Sequence, residues 1–427
     1  MASSKFSMNL TDEANQDFIS NLPTIVTENI LKRLPIQTLA RMSVLSTKWK
    51  DNWLSHRHLI IDVIFLMQLE MSKRTLVGRN ATDIVSSILF NHNGPLHKLH
   101  LHVSYTGKGS FILLSPWLSF ISRTCVKKIA LSLNGDYDLL PIPYHFFECK
   151  ELVKIRLEHF VLKPPPHFKG FVNLRSLKLV LIKCKPAVFG SLIASCPRLT
   201  LLDLESCIDL DHVVIDVPSL ESLVIKGVFN YLSFKNVARL ANISLCIEKY
   251  KNPKAVELDS FKDLATSCEL QHLHFGGRFS WFLAAGGVAE SFPLAFNHLN
   301  KVSFTDLDLG RVEVYDFVFR MVQSCPSIKE LEISVTPDRN AVQQKLDYDD
   351  NYKLGHLLKV KITGITGSQA ELIFVEYLLA ISVVLEKLFF ECGFGYCPDA
   401  NSELQLLRDL LQLPRTSPKA QLVWLKK

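Results

Sequence analysis

Residues 171–227 read FVNLRSLKLVLIKCKPAVFGSLIASCPRLTLLDLESCIDLDHVVIDVPSLESLVIKG. One pattern returns within them: Leu174-x-x-Leu177-x-Leu179, then Leu199-x-x-Leu202-x-Leu204, then Leu220-x-x-Leu223-x-Ile225. The last three positions of each alternate apolar, polar, apolar, which is how a strand with one buried face reads. Upstream the same pattern occurs at Leu96-Leu99-Leu101, Val126-Ile129-Leu131 and Leu152-Ile155-Leu157. Downstream it continues through Leu240-Ile243-Leu245, Leu270-Leu273-Phe275, Leu299-Val302-Phe304, Ile328-Leu331-Ile333, Leu357-Val360-Ile362 and Leu385-Leu388-Phe390.

An irregular period near about 20–29 residues with this consensus is the mark of leucine-rich repeats. One array accounts for a chain of 427 residues, a length too great for a single ordinary compact core. The expected fold class is α/β, a curved solenoid with parallel strands on its concave face and helices or irregular returns on its convex face. Cys196-Pro197-Arg198, Val217-Pro218-Ser219 and Cys325-Pro326-Ser327 each stand a short fixed offset before a strand and end the return segment. Val188 to Ser195 and Val314 to Ser324 carry apolar residues at helical spacing. Strand residues that alternate with the buried ones line the concave face. The candidates there for holding a target protein are Lys98, His100, His102, Lys154, Arg156, Lys178, Asp203, Glu205, Lys226 and His274. Lys128 belongs to the same pattern, and basic residues predominate at its start. His97, His100 and His102 do not read as a metal site, because His97 precedes the strand that carries the other two.

Apolar residues make up 48% of the chain and charged residues 21%, which demands a large core and excludes a mostly disordered protein. The net charge of +6 comes from scattered Lys and Arg, so neither nucleic acid nor a membrane is expected as a partner. The ten cysteines are dispersed, and Cys392 and Cys397 have no second pair to complete a zinc knuckle. No metal is expected, and the thiols read as buried and free. The opening MASSKFSMNLTDEANQDF holds no apolar run of signal-peptide length, and Phe111 to Ile121 and Phe374 to Leu385 are too short to cross a bilayer. A soluble protein of a reducing compartment is the expectation.

From Asp17 to Trp53 the chain reads DFISNLPTIVTENILKRLPIQTLARMSVLSTKWKDNW. Pro23 and Pro35 each suit the first turn of a helix. Val26, Ile30 and Leu34 fall four apart beside Leu31, Ile36 and Leu39 follow at helical spacing, and Trp49 and Trp53 lie one turn apart. Three such helices bury too little to stand alone and call for a partner. With Leu22-Pro23, Ile30-Leu31, Leu34-Pro35, Ser43-Val44-Leu45-Ser46 and Lys48-Trp49 in order, the segment resembles a plant F-box. That resemblance implies docking to a Skp-type adaptor and, through it, to a cullin. The contact residues it implies are Leu22, Pro23, Ile30, Leu34, Pro35, Leu39, Val44, Leu45 and Trp49, several of which are also suited to the miniature core.

From Tyr352 onward the chain resembles the FBD segment that follows the repeats in many plant F-box proteins, on Leu357 to Ile362, Gly364 to Glu371, the helix Leu372 to Ser382, Leu385 to Leu388 and Pro414 to Ala420. Bottom-up, an array needs a cap over its last core layer, which Leu404 to Leu413 as a helix and Leu422 to Leu425 as a strand can supply. The organisation expected is a disordered N-terminus over 1–16, an F-box over 17–60, a repeat solenoid over 61–350 and an FBD-like segment with the cap over 351–427. Thr336 to Asp350 reads as a polar surface loop.

No catalytic constellation assembles. Phe275-Gly276-Gly277 and Ala285-Gly286-Gly287 lack the spacing of phosphate-binding loops, and neither a GxSxG elbow nor an HExxH helix is present. The expected function is therefore that of the resemblance: a non-catalytic substrate-recognition subunit of an SCF-type ubiquitin ligase, without cofactor, in the nucleus or cytoplasm or both. A scaffold or signalling protein that does not direct ubiquitination is the alternative.

Overall fold

The computed structural model describes residues 22–31, 33–34, 36–42, 52–71, 81–104, 113–134, 139–229, 231–247, 264, 269–277, 295–336, 352–393 and 400–425. It forms two compact units, Met1–Asp138 with Pro143–Lys154, and Leu139–Ile142 with Ile155–Lys427.

In the first unit, helices α1 (Thr24–Leu31) and α2 (Ile36–Met42) begin directly after Pro23 and Pro35, as the proline rule requires. The Pro23 carbonyl accepts from Val26 N at 2.9 Å and Thr27 N at 3.0 Å, which closes the first turn of α1. Beyond them lie a single 3₁₀ turn at Asn52–Ser55, then β1 (His58–Ile61), α3 (Val63–Met71), α4 (Ala81–Phe90), β2 (Lys98–Ser104), α5 (Leu114–Ser122) and β3 (Lys128–Asn134). The strands pair in parallel, with Leu59 opposite Leu99 and Leu99 opposite Ile129. Their inward side chains meet α4 and α5, which bury Val85, Leu89, Leu114, Trp117, Leu118 and Ile121. The Trp117 indole N–H donates to Ser86 Oγ at 3.0 Å, so the largest side chain of this core leaves no buried donor unpaired.

β1 is a repeat strand that the leucine pattern does not mark. The register sets Leu59 and Ile61 against Leu99 and Leu101, so the place of Leu96 falls to His56. That imidazole is buried, and its pKa is lowered to about 4 by burial first and by the neighbouring His58 and His92 second.

In the second unit, β5 (Lys154–Glu158), which starts at the last residue of the first unit, leads into a parallel series. Short β4 (Leu140–Pro141) pairs with β6 (Phe160–Val161), and the series continues with β7 (Ser176–Val180) and β8 (Leu201–Glu205). After them come β9 (His212–Asp216), β10 (Ser222–Gly227), β11 (Tyr231–Lys235), β12 (Asn242–Ile247), β13 (His272–Gly277) and β14 (Lys301–Leu307). The last are β15 (Glu330–Val335), β16 (Lys359–Ile365), β17 (Lys387–Cys392) and β18 (Gln421–Trp424). From β7 the main sheet runs β7, β8, β10, β12, β13, β14, β15, β16, β17, β18, every pair parallel and each one repeat on from the last. Every apolar triad of the pattern is buried. Return segments carry helices α6 (Pro186–Ala194), α7 (Val312–Gln323) and α8 (Gln369–Ile381), with α9 (Ala400–Gln412) before the final strand. The returns after β8 and β10 are extended, and in them β9 pairs with β11 as a second short ladder.

Two further positions repeat. Three residues before the first leucine of a triad stands a buried residue, Phe171, Cys196, Val217, Val237, Phe296 or Cys325. Its carbonyl accepts from the leucine N–H, as in Leu199 N to Cys196 O at 3.1 Å. This turn explains why Cys149, Cys196 and Cys325 are buried free thiols, and burial pushes the Cys149 thiol up to about 12. Cys392 departs from the expectation of free thiols, since it is disulfide-bonded. Immediately after their strands, His159, Leu181 and Ser206 take positive φ, as does Gly227, the last residue of β10. The N–H groups of His159, Leu181 and Ser206 turn onto the next strand of the sheet, for example Ser206 N to Lys226 O at 2.7 Å.

Candidate functional site

The N-terminal helices separate core from surface. Leu31 and Leu39 are buried against each other, with Leu34, Met42 and Trp53 packed around them. On the other side of α1, Ile25 is 74% exposed, Val26 40% and Ile30 39%, beside an exposed Pro23. A helix of this length that leaves β-branched apolar residues in water has an unmatched apolar face, which is what a docking helix presents. Of the expected contact residues, Leu22, Pro23, Ile30 and Leu34 lie at or partly at the surface, whereas Leu39 is a core residue at 3% exposure. Pro35, Val44, Leu45 and Trp49 fall outside the described residues.

Between α2, β1 and α3 lies a cavity of about 740 Å³ lined by Arg33, Arg41, His56, His58, Ile60, Ile64 and Met71 among others. Ile64 and Met71, at i and i+7 of α3, are exposed along it.

Along the strands, the expected target-facing residues occupy the positions that alternate with the buried triads. The register brings charged and polar ones together across neighbouring strands. Lys178 Nζ is 2.8 Å from Asp203 Oδ2 and 3.1 Å from Glu205 Oε2. Burial works to lower the pKa of that ammonium, and the hydrogen bonds to the two carboxylates outweigh it, so it is held above its ordinary value. Lys301 Nζ reaches Glu332 Oε1 at 2.8 Å, and Lys359 Nζ reaches Glu330 Oε1 at 3.1 Å. Arg156 and Glu158 pair within one strand at 3.1 Å.

Two histidines of the face are held by serines that the sequence reading left out. His102 Nδ1 lies 2.8 Å from Ser132 Oγ, and His274 Nδ1 lies 2.9 Å from Ser303 Oγ. In each case the serine is the register partner one strand on, so knowledge of the register would have found it. Burial, and then Lys226, lowers the His274 pKa. Among the described residues no group of three or more His, Cys, Asp or Glu is placed to hold a metal ion. Phe275-Gly276-Gly277 forms the end of β13, an extended segment and not a phosphate loop.

The FBD-like segment contains a buried carboxylate. Glu371 Oε2 accepts from the backbone N–H groups of Thr366, Gly367 and Ser368 at 2.8, 2.7 and 3.0 Å, while Ser368 Oγ caps Glu371 N. This capping box fixes the entry of α8 and gives a physical reason for the Gly364 to Glu371 signature.

Residues 19–60 match the family model of the F-box domain, and residues 114–272 match that of the leucine-rich repeats of FBD-associated F-box protein At5g56370. The chain is 32% identical over 421 residues to F-box/FBD/LRR-repeat protein At1g13570 of Arabidopsis thaliana, covering 96% of this chain and 99% of that one. It is 30% identical over 204 residues to F-box protein At1g80960 of the same plant, covering 45% and 41%. To F-box/FBD/LRR-repeat protein At3g51530 of Arabidopsis thaliana it is 24% identical over 361 residues, covering 79% and 74%. An F-box match at the N-terminus, a repeat match over residues 114–272 and near end-to-end similarity agree with one another, and the chain belongs to the plant F-box/FBD/LRR-repeat family.

Proposed function

We propose that the chain is a non-catalytic substrate-recognition subunit of an SCF-type ubiquitin ligase. The F-box helices dock a Skp-type adaptor that connects to a cullin, and the strand face of the repeats holds a target protein for ubiquitination. What the chain contributes is proximity, bringing target lysines to a ubiquitin-charged enzyme carried elsewhere in the complex. The observation that carries this reading is the uncovered face of α1, where Ile25, Val26 and Ile30 stand exposed within the segment that matches the F-box model. Nucleus and cytoplasm are the compartments in which such a complex would act.

The test is adaptor capture by the purified full chain, beside the double variant Leu22→Ala, Pro23→Ala. Loss of two apolar contacts from a small interface weakens binding by roughly a hundredfold, while the repeat core, built from other residues, keeps its thermal transition. Unchanged capture by the double variant would sink the assignment of this surface. Capture followed by ubiquitination of a bound target in the reconstituted ligase separates a ligase subunit from a scaffold.

A further inference from the structure

Face positions at the start of β2, β3 and β5 carry a row of lysines, with a histidine of β1 beside the first. His58 stands opposite Lys98, and Lys98 opposite Lys128, in the parallel register. Lys154 takes the next place, because its N–H bonds to Lys127 O at 3.0 Å as the Lys128 N–H bonds to His97 O. All three lysines are exposed. Like charges directly opposite on neighbouring strands, about 4.8 Å apart, cost stability. Lys178, Lys301 and Lys359 of the same face, by contrast, each have a carboxylate oxygen within 3.1 Å. Lys98, Lys128 and Lys154 have no ion-pairing carboxylate among the described residues. Nearby acids are engaged locally: Asp62 Oδ1 accepts from Phe65 N at 2.9 Å at the start of α3, and Glu148 pairs with His145 at 2.9 Å. At the β1 end, His58 also lines the cavity that holds Arg33 and Arg41.

We infer that this strip is a docking site for a carboxylate-rich segment of a partner protein, lying across β1, β2, β3 and the start of β5. The inference rests on the proposed target-binding role and names the chemistry of the target. Crossing four strands covers roughly 14 Å, which an extended chain spans in four or five residues, so the matching motif holds several Asp or Glu within that length. Lysines without interleaved aromatic side chains favour a protein carboxylate over stacked nucleotides.

The probe is a short fluorescein-labelled peptide of alternating Asp and Ser, titrated by anisotropy against the full chain at low and physiological ionic strength. K98Q/K128Q/K154Q should weaken binding roughly tenfold or more and leave the thermal transition unchanged or raised, since it removes repulsion. K163Q/K185Q/K235Q, which removes the same charge from exposed positions of the second unit, should leave binding unchanged. Equal losses in the two variants would reduce the effect to net charge and overturn the proposal, as would no binding by the wild type. Tighter binding of a single-stranded oligonucleotide of equal charge would overturn it in favour of nucleic acid. Adaptor capture, measured in parallel on K98Q/K128Q/K154Q, reports on the ligase reading separately: if no form of the chain captures adaptor, that reading falls while the peptide result stands on its own.

Discussion

Single residues in this chain do work that their type alone does not announce. His56 occupies a leucine position, and its lowered pKa means that the fold favours the neutral ring. The unfolded chain, with an ordinary histidine, binds more protons between pH 6.5 and about 4, so stability is complete above pH 6.5 and falls as the pH drops through that window. At about 1.4 kcal/mol per pKa unit, the full loss near pH 4 is about 3 kcal/mol. His56→Leu, which completes the pattern with Leu59 and Ile61, should raise the thermal transition at pH 5 more than at pH 8; equal shifts at both would sink the account. Glu371 is the counterpart in the second unit. Removing a carboxylate that accepts three backbone N–H bonds takes the acceptor from three part-buried donors, and Glu371→Ala should cost about 2–4 kcal/mol in denaturant unfolding. Glu371→Gln keeps one acceptor and should recover part of that loss.

At the scale of elements, the strands were legible because the leucine triads survive in nearly every unit, and α6, α7, α8 and α9 because their apolar residues follow helical spacing. β1 was not legible, since a buried histidine broke the consensus at its first position. The β9 and β11 ladder was hidden too, as its alternating residues also suit an irregular return. For the candidate site, alternation alone placed the charged face residues. Which of them pair could not be read from alternation alone, because pairing also needs the register, which sets triad against triad over returns of different length, as with Leu202 opposite Leu223 and Leu273 opposite Val302. The turn that ends each strand makes its own demand. Gly227 has φ +124°, and a Cβ there would lie 2.9 Å from Ser206 Cα. Gly227→Val should therefore destabilise the chain by about 2–3 kcal/mol. Ser206→Gly, at φ 50°, should be neutral or stabilising, and a comparable loss at both sites would show that the cost is not one of backbone conformation.

The whole molecule has to end its array as well as begin it. Parallel strands paired one after another leave an open edge at the last one, and here β18 covers β17, with Gln421 N bonded to Glu386 O at 2.9 Å and Leu388 opposite Leu422. Ahead of it, α9 buries Leu406 and Leu410, and Ser417 Oγ donates to Leu385 O at 2.7 Å. Because neighbouring repeats stabilise one another pairwise, losing the terminal one removes an interface without direct damage to distant repeats. A chain ending at residue 399 should keep its far-ultraviolet circular dichroism per residue and yet self-associate in light scattering through the bared edge of β17. If it stays monomeric, the edge is protected by something other than the cap. If it unfolds throughout, the repeats form a single cooperative block, and nearest-neighbour coupling is the wrong description of their stability.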